Sequence, residues 1–336
     1  MRKSESGLFI RKFSHIYVEK EALGYPLTRT LIEKFPQASI VEIDRYQELF
    51  ARPRQRFVLQ KQSPKWIVAV KKPPYFYPGA EVCHDFGHDH FYYASTVLNC
   101  LYDCEYCFLQ GMFPSANLVL FVNLDDYFEN LERLLRRHPV YLSVSYESDL
   151  LALESVVPVA SRWIEFARGH EGLTVEIRTK SANYPAIRHL RPASNVILAW
   201  TISPEPVIRQ YEPLTPGLSA RLASVRAAAD DGWTVRLCFD PVLPVDGWEE
   251  QYSRCVNETF AAVPPERVLD VSVGTFRIPR DYLKTMRKQR PESALLHYPF
   301  EIKNGVFGYP DELGRRLVRH VYDAVRTYVP DQRIFV

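Results

Sequence analysis

No stretch of this 336-residue sequence is long and apolar enough to cross a membrane. The opening "MRKSESGLFIRKFSH" lacks the continuous apolar run of a signal peptide. The expectation is a soluble, cytoplasmic protein with no membrane partner. Low-complexity tracts and internal repeats are also missing, which argues against solenoids and linker-rich chains. Charge of one sign is not in excess: 42 Lys and Arg face 40 Asp and Glu, so bulk charge gives no argument for a nucleic-acid partner. Only local clusters do, at "RPRQRF" (52–57), "RLLRRH" (133–138) and "RKQR" (287–290), and each is equally a solvated face. Cysteine is scarce, six in all, and it is bunched rather than spread. That pattern excludes a disulfide framework and points to metal or redox chemistry. What is plentiful is core material: 46% of residues are hydrophobic and 13% aromatic, enough for one large domain or two ordinary ones.

The bunched cysteines are Cys100, Cys104 and Cys107, in "NCLYDCEYCFLQG" (99–111), with the spacing C-x3-C-x2-C. Electron-carrying four-iron clusters are held by four cysteines, one per iron. Three on one loop would leave an iron open to bind a substrate or cofactor. The rival is zinc held by three thiolates and a histidine. "CHDFGHDH" (83–90) offers Cys83, His84, His88 and His90 for it. Against zinc, the second C-x2-C knuckle of fingers and ribbons is missing.

Along the chain, β-rich runs alternate with helical patterns. Strands are expected at 92–98, 140–146, 174–180, 195–203, 233–240 and 268–274, and helices at 124–137, 161–169, 218–232 and 247–263. This α/β alternation predicts a parallel sheet, read as a partial (β/α)6 barrel; a doubly wound sheet fits the same periodicity. The expected organisation is an N-terminal extension over 1–91, the barrel over 92–275 and a C-terminal extension over 276–336. Chemistry in such a barrel sits at the C-terminal strand ends. Those ends carry Tyr146, Ser148, Asp149, Lys180, Thr201, Ser203 and Asp240, each of which alone could be a turn or cap residue.

The cysteine spacing, with the aromatic Phe108 after the last thiol, resembles that of the radical S-adenosylmethionine enzymes. The resemblance implies a [4Fe-4S] cluster on Cys100, Cys104 and Cys107, with S-adenosyl-L-methionine on its open iron as the source of a 5′-deoxyadenosyl radical. "YVEKEALGYPL" (17–27), "CFLQG" (107–111), "FVNLDD" (121–126), "EPLTPGLSARL" (212–222) and "KNG" (303–305) further resemble the spore photoproduct lyase family. That family reverses a UV-induced thymine dimer in DNA. Its radical abstracts hydrogen from C6 of the lesion, the inter-base bond breaks, and a cysteine returns hydrogen to the product radical. The resemblance implies UV-damaged DNA as partner and an electron donor such as flavodoxin or ferredoxin. Ser148 and Lys180 match residues that contact the cofactor; Asp149, Thr201 and Ser203 join them as the expected cofactor-binding set. Lys303 and Asn304 match a DNA-wedging hairpin, and Asn304-Gly305 is by itself a good two-residue turn.

Two positions depart from the family. Tyr146 stands where the family has its hydrogen-donor cysteine, and Phe108 stands where it has a tyrosine, whereas Tyr106 is retained. The expected catalytic residues are therefore Tyr146 and Tyr106, with Cys238 as the best other thiol because it shares a strand face with Asp240. The other readings are radical initiation on a peptide or RNA base, and a non-catalytic metal-containing nucleic-acid-binding module.

Overall fold

The computed structural model describes residues 12–80 and 82–336; the signal-peptide reading falls largely on residues outside these. Its main sheet has eight strands in the order 334–335, 268–275, 234–242, 196–201, 173–179, 140–143, 91–94 and 76–78. Every neighbouring pair is parallel except the last, where Phe76–Pro78 runs antiparallel to Phe91–Ala94. The order follows the sequence, as right-handed βα crossovers dictate. The helices between strands bury one face each. Leu124–Leu135 carries Asp125 and Asp126 in its first turn, where the helix dipole favours them, and buries Leu124, Tyr127 and Leu131.

Five of the six expected strands are found with shifted ends. The sixth, 92–98, is two strands in two sheets. Phe91–Ala94 stays in the main sheet, whereas Val97–Leu98 pairs antiparallel with Leu118–Phe121. The chain crosses over at Ser95 and Thr96, where the buried Tyr127 hydroxyl donates to the Ser95 carbonyl at 2.8 Å. No glycine or proline marks the crossing, so alternation alone reads the run as one strand. The second sheet has the order 39–43, 15–19, 66–69, 118–121 and 97–98. Its fully buried "LVLF" strand, 118–121, is absent from the strands expected from the sequence.

Part of the barrel interior is polar. Arg236 donates to Glu176 (2.7 Å), to the Tyr141 hydroxyl (2.6 Å) and to Asp270 (2.8 Å), and the Phe86 ring lies 3.2 Å from its guanidinium. A buried charge needs such complete pairing, or desolvation makes it costly. A third sheet follows the barrel: Arg277–Pro279 pairs antiparallel with Val306–Gly308, which pairs with Glu301–Lys303.

Candidate active site

A cavity of about 490 Å³ opens at the C-terminal strand ends. The cysteine loop forms one wall. It starts at Asn99, whose φ of +68° turns the chain and whose buried amide donates to the Ser115 and Asn117 carbonyls at 2.7 and 2.8 Å. The buried Lys61 ammonium donates to the Cys100 and Tyr102 carbonyls. The Asp103 and Glu105 amides donate to the Pro213 and Tyr211 carbonyls at 3.1 and 2.8 Å. From the other side Arg290 pairs with Asp103, and the Ser293 hydroxyl donates to Glu105. Gly111 lies against helix Arg280–Gln289 so closely that a Cβ would stand 2.6 Å from the Tyr282 carbonyl oxygen. The loop is thus held before any ligand arrives.

Cys100, Cys104 and Cys107 all line the cavity. Burial pushes the Cys100 thiol up to about 12 and raises Cys104 as well. Among the described residues, no three Cys, His, Asp or Glu side chains converge as a lone ion requires. The histidines offered for zinc part company. His84 lines the cavity, His88 stacks on Tyr141 at 4.4 Å, and His90 stacks on His138 at 3.7 Å. Three thiols spread around one cavity fit a four-iron cube, which takes one thiolate per corner.

Ser148, Lys180, Asp149 and Thr201 line the cavity too. The Ser148 hydroxyl oxygen is buried with no hydrogen-bond partner among the described residues, a polar atom that a polar cofactor would satisfy. Burial opposes the Lys180 charge, but attraction to Cys104 in its thiolate form and to Glu212 outweighs it and raises its pKa. Asp149 is turned toward the protein. Its carboxylate accepts from Ala152 N (3.0 Å), Thr179 Oγ1 (2.7 Å) and Lys180 N (2.8 Å), so it caps a helix and fixes the neighbouring strand end. Ser203 is not in the cavity wall; its hydroxyl donates to Glu212 at 2.9 Å.

The expected catalytic residues separate. Tyr106 is held by its hydroxyl, which donates to Glu212; that carboxylate is paired in turn with fully buried Arg221. Tyr106 lines the cavity as well. Cys238 has 0% exposure and lies below the cavity, close to Arg178 and Ser272. It does share a strand face with Asp240, but the cavity reaches only Asp240. Outside the cysteine loop, the thiol that does reach the cavity is Cys83, which sequence reasoning weighed only as a metal ligand. Its S–H points to the Tyr146 hydroxyl oxygen at 3.9 Å. Arg277 sets this meeting, donating to the Val82 carbonyl at 2.6 Å while forming a two-pronged pair with Asp240, 3.0 Å on each prong. Gly274 lies directly beneath that pair: a Cβ there would stand 2.7 Å from the guanidinium and push it aside.

Lys303 and Asn304 lie outside the cavity, on the hairpin that grows from the strand carrying Arg277. Asn304 and Gly305 have φ of +48° and +79°, the backbone of a tight two-residue turn. Lys303 pairs with Asp311, and Ile302 beside it is 47% exposed. In the "RKQR" cluster, Arg287 and Arg290 are half-buried. Arg287 donates to the Leu296 carbonyl at 2.8 Å and Arg290 to Gln110 at 2.7 Å.

The sequence model of the spore photoproduct lyase family matches residues 84–334. The chain belongs to the spore photoproduct lyase family. Among its relatives, spore photoproduct lyase of Geobacillus sp. (strain Y412MC61) is 26% identical, with 72% of each chain covered. That of Clostridium acetobutylicum is 24% identical, covering 88% of this chain and 89% of the relative. The fold is shared with a solved spore photoproduct lyase mutant with bound AdoMet and dinucleoside spore photoproduct. Its TM-score is 0.83 at 20% identity, covering 97% of this chain and 99% of that one. The partial barrel expected from the sequence is therefore the family's fold.

Proposed function

We propose that this protein is a radical S-adenosylmethionine lyase that reverses a spore-photoproduct-type thymine dimer in UV-damaged DNA. The observation that carries the reading is the wall of one cavity, where Cys100, Cys104 and Cys107 stand with the unpartnered Ser148 hydroxyl and Lys180. Within the family, that set suits a [4Fe-4S] cluster with S-adenosylmethionine. When bound, the pair supplies a 5′-deoxyadenosyl radical. Every other part falls to this chain's own residues. The cysteine loop, pinned by Lys61, Arg290 and the 211–213 segment, holds the three thiols in place. Ser148 and Lys180 orient the cofactor's polar groups, and Asp149 positions Lys180.

Cys83 and Tyr146 return the hydrogen. Burial raises the pKa of both groups, so both carry their hydrogen at working pH. Their contact makes a two-member donor in which Tyr146 refills the Cys83 sulfur. Asp240, Arg277 and His84 offer polar groups to the base edges of an extruded lesion. Extrusion costs a few kcal/mol, less for a damaged base, and the hairpin with Ile302, Lys303 and Asn304 is the element to wedge the duplex. The reductant is a small one-electron carrier such as flavodoxin or ferredoxin, and the setting is the cytoplasm. The barrel of 92–275, completed by strands at 76–78 and 334–335, serves as the catalytic unit, and 276–336 carries the DNA-contacting hairpin.

The test is anaerobic incubation of the reconstituted protein with irradiated and undamaged DNA. Irradiated DNA should stimulate 5′-deoxyadenosine release and yield repaired thymines by mass spectrometry. Equal release with both DNAs would refute the substrate reading.

A further inference from the structure

Hydrogen return leaves the donor one electron and one proton short, and the structure contains a route for making up that loss. Tyr93 packs on Tyr146 with ring centroids 4.5 Å apart. Tyr77 stacks on Tyr93 at 5.2 Å, the two being direct cross-strand partners. Tyr77 belongs to Phe76–Pro78, the edge strand of the main sheet, and is half-buried. Its hydroxyl oxygen accepts from Lys71 at 2.8 Å, and that ammonium also lies 5.3 Å from the ring. Cys83, Tyr146, Tyr93 and Tyr77 thus form a continuous line from the cavity to the sheet edge. Phe108 also packs on Tyr146, at 5.4 Å, a ring with no hydroxyl to carry a hydrogen.

We propose that Tyr146, Tyr93 and Tyr77 form a radical exit path, along which the oxidised hydrogen donor is restored from outside the active site. The proposal rests on the donor role of Cys83 and Tyr146 argued above. The steps balance. The Cys83 S–H bond breaks and a C–H bond forms on the product radical, leaving a thiyl. The Tyr146 O–H breaks and the S–H re-forms, leaving a phenoxyl on Tyr146. Tyr93 passes an electron and its phenolic proton to Tyr146, whose O–H re-forms as that of Tyr93 breaks; Tyr77 then passes its own electron and proton to Tyr93. At the edge, the Tyr77 phenoxyl accepts a hydrogen bond from Lys71. It is reduced by one electron from a low-potential one-electron carrier and takes one proton from water. Each lesion therefore consumes two external electrons, one to cleave S-adenosylmethionine and one to restore the tyrosine. One 5′-deoxyadenosine accumulates per lesion. Burial holds the Tyr93 phenol up at about 12, so the ring keeps its proton until oxidised.

The test combines freeze-quench electron paramagnetic resonance with product counting. Holoenzyme containing ring-deuterated tyrosine is mixed anaerobically with dinucleoside spore photoproduct and reductant. The expected result is a transient radical whose hyperfine splitting narrows on deuteration, with 5′-deoxyadenosine and repaired dinucleotide formed in equal amounts. Tyr93→Phe and Tyr77→Phe should each slow decay of that signal about tenfold. Tyr77→Trp, which keeps an oxidisable ring, should restore the decay, a rescue that a merely structural role would not give. Lesion-stimulated 5′-deoxyadenosine without a tyrosyl signal would overturn the exit path alone. So would 5′-deoxyadenosine far below the amount repaired, or wild-type decay in both Phe variants. No lesion-stimulated 5′-deoxyadenosine at all would overturn the function and the path together.

Discussion

Replacing Glu212 with Ala should cost the protein a large share of its stability and loosen the cysteine loop. Glu212 and Arg221 are both at 0% side-chain exposure and paired with each other. Glu212 also accepts from the Tyr106 and Ser203 hydroxyls, and Arg221 also donates to the Pro216 and Thr201 carbonyls at 3.0 and 3.1 Å. Glu212→Ala leaves a guanidinium buried without its counter-charge. Removing one partner of such a pair costs about 3–5 kcal/mol, a large part of the roughly 5–15 kcal/mol that holds a typical domain folded. The Tyr106 hydroxyl loses its acceptor in the same step, and Tyr106 stands between Cys104 and Cys107 in the cysteine loop. The assay is urea unfolding at neutral pH, with iron per chain measured after reconstitution. Glu212→Ala should show both the loss of stability and a fall in iron, and adding Arg221→Met should cost less than the sum of the two single changes. Acid should mimic the mutation. Burial alone would raise the Glu212 carboxyl, but the Arg221 and Lys180 charges hold it down at about 2, from an ordinary 4.5. The carboxylate's contribution is then fully present above about pH 4.5 and fades as pH falls toward 2. A loss under about 1 kcal/mol, with iron unchanged, would refute the reasoning.

Three more outcomes are expected. Cys100→Ala, Cys104→Ala and Cys107→Ala should each lose the reconstituted cluster, read as brown absorbance and iron content, whereas Cys83→Ala should keep its iron and give trapped or adduct products in place of clean repair. Tyr146→Phe should give the same aberrant products on mass spectrometry, while Cys238→Ala should not, since that thiol does not reach the cavity. Lys303→Glu, on the exposed hairpin, should weaken duplex binding and lower the salt slope of affinity by about 1; salt-independent binding would count against a phosphate contact there.

The chain's local order carried a good deal of this protein. The spacing of Cys100, Cys104 and Cys107 specified three thiols on one loop. β-rich runs between helical patterns specified a parallel α/β sheet, and Asn304-Gly305 specified a tight hairpin turn, because each signal lies within a few residues. Tertiary structure decided which side chains meet. Cys83 and Tyr146 are 63 residues apart, and Arg277 reaches 195 residues back to the Val82 carbonyl. No periodicity spans such distances; strand order and the path of a loop set them. The strand face shared by Cys238 and Asp240 was legible, but depth along the barrel was not, and depth keeps Cys238 from the cavity. Tyr106 resembled a relay by position, yet a buried Glu212, 106 residues away, takes its hydroxyl. The run at 92–98 read as one strand because alternation shows which side chains face inward, not which sheet they face, and that choice belongs to the packing around Ser95 and Thr96.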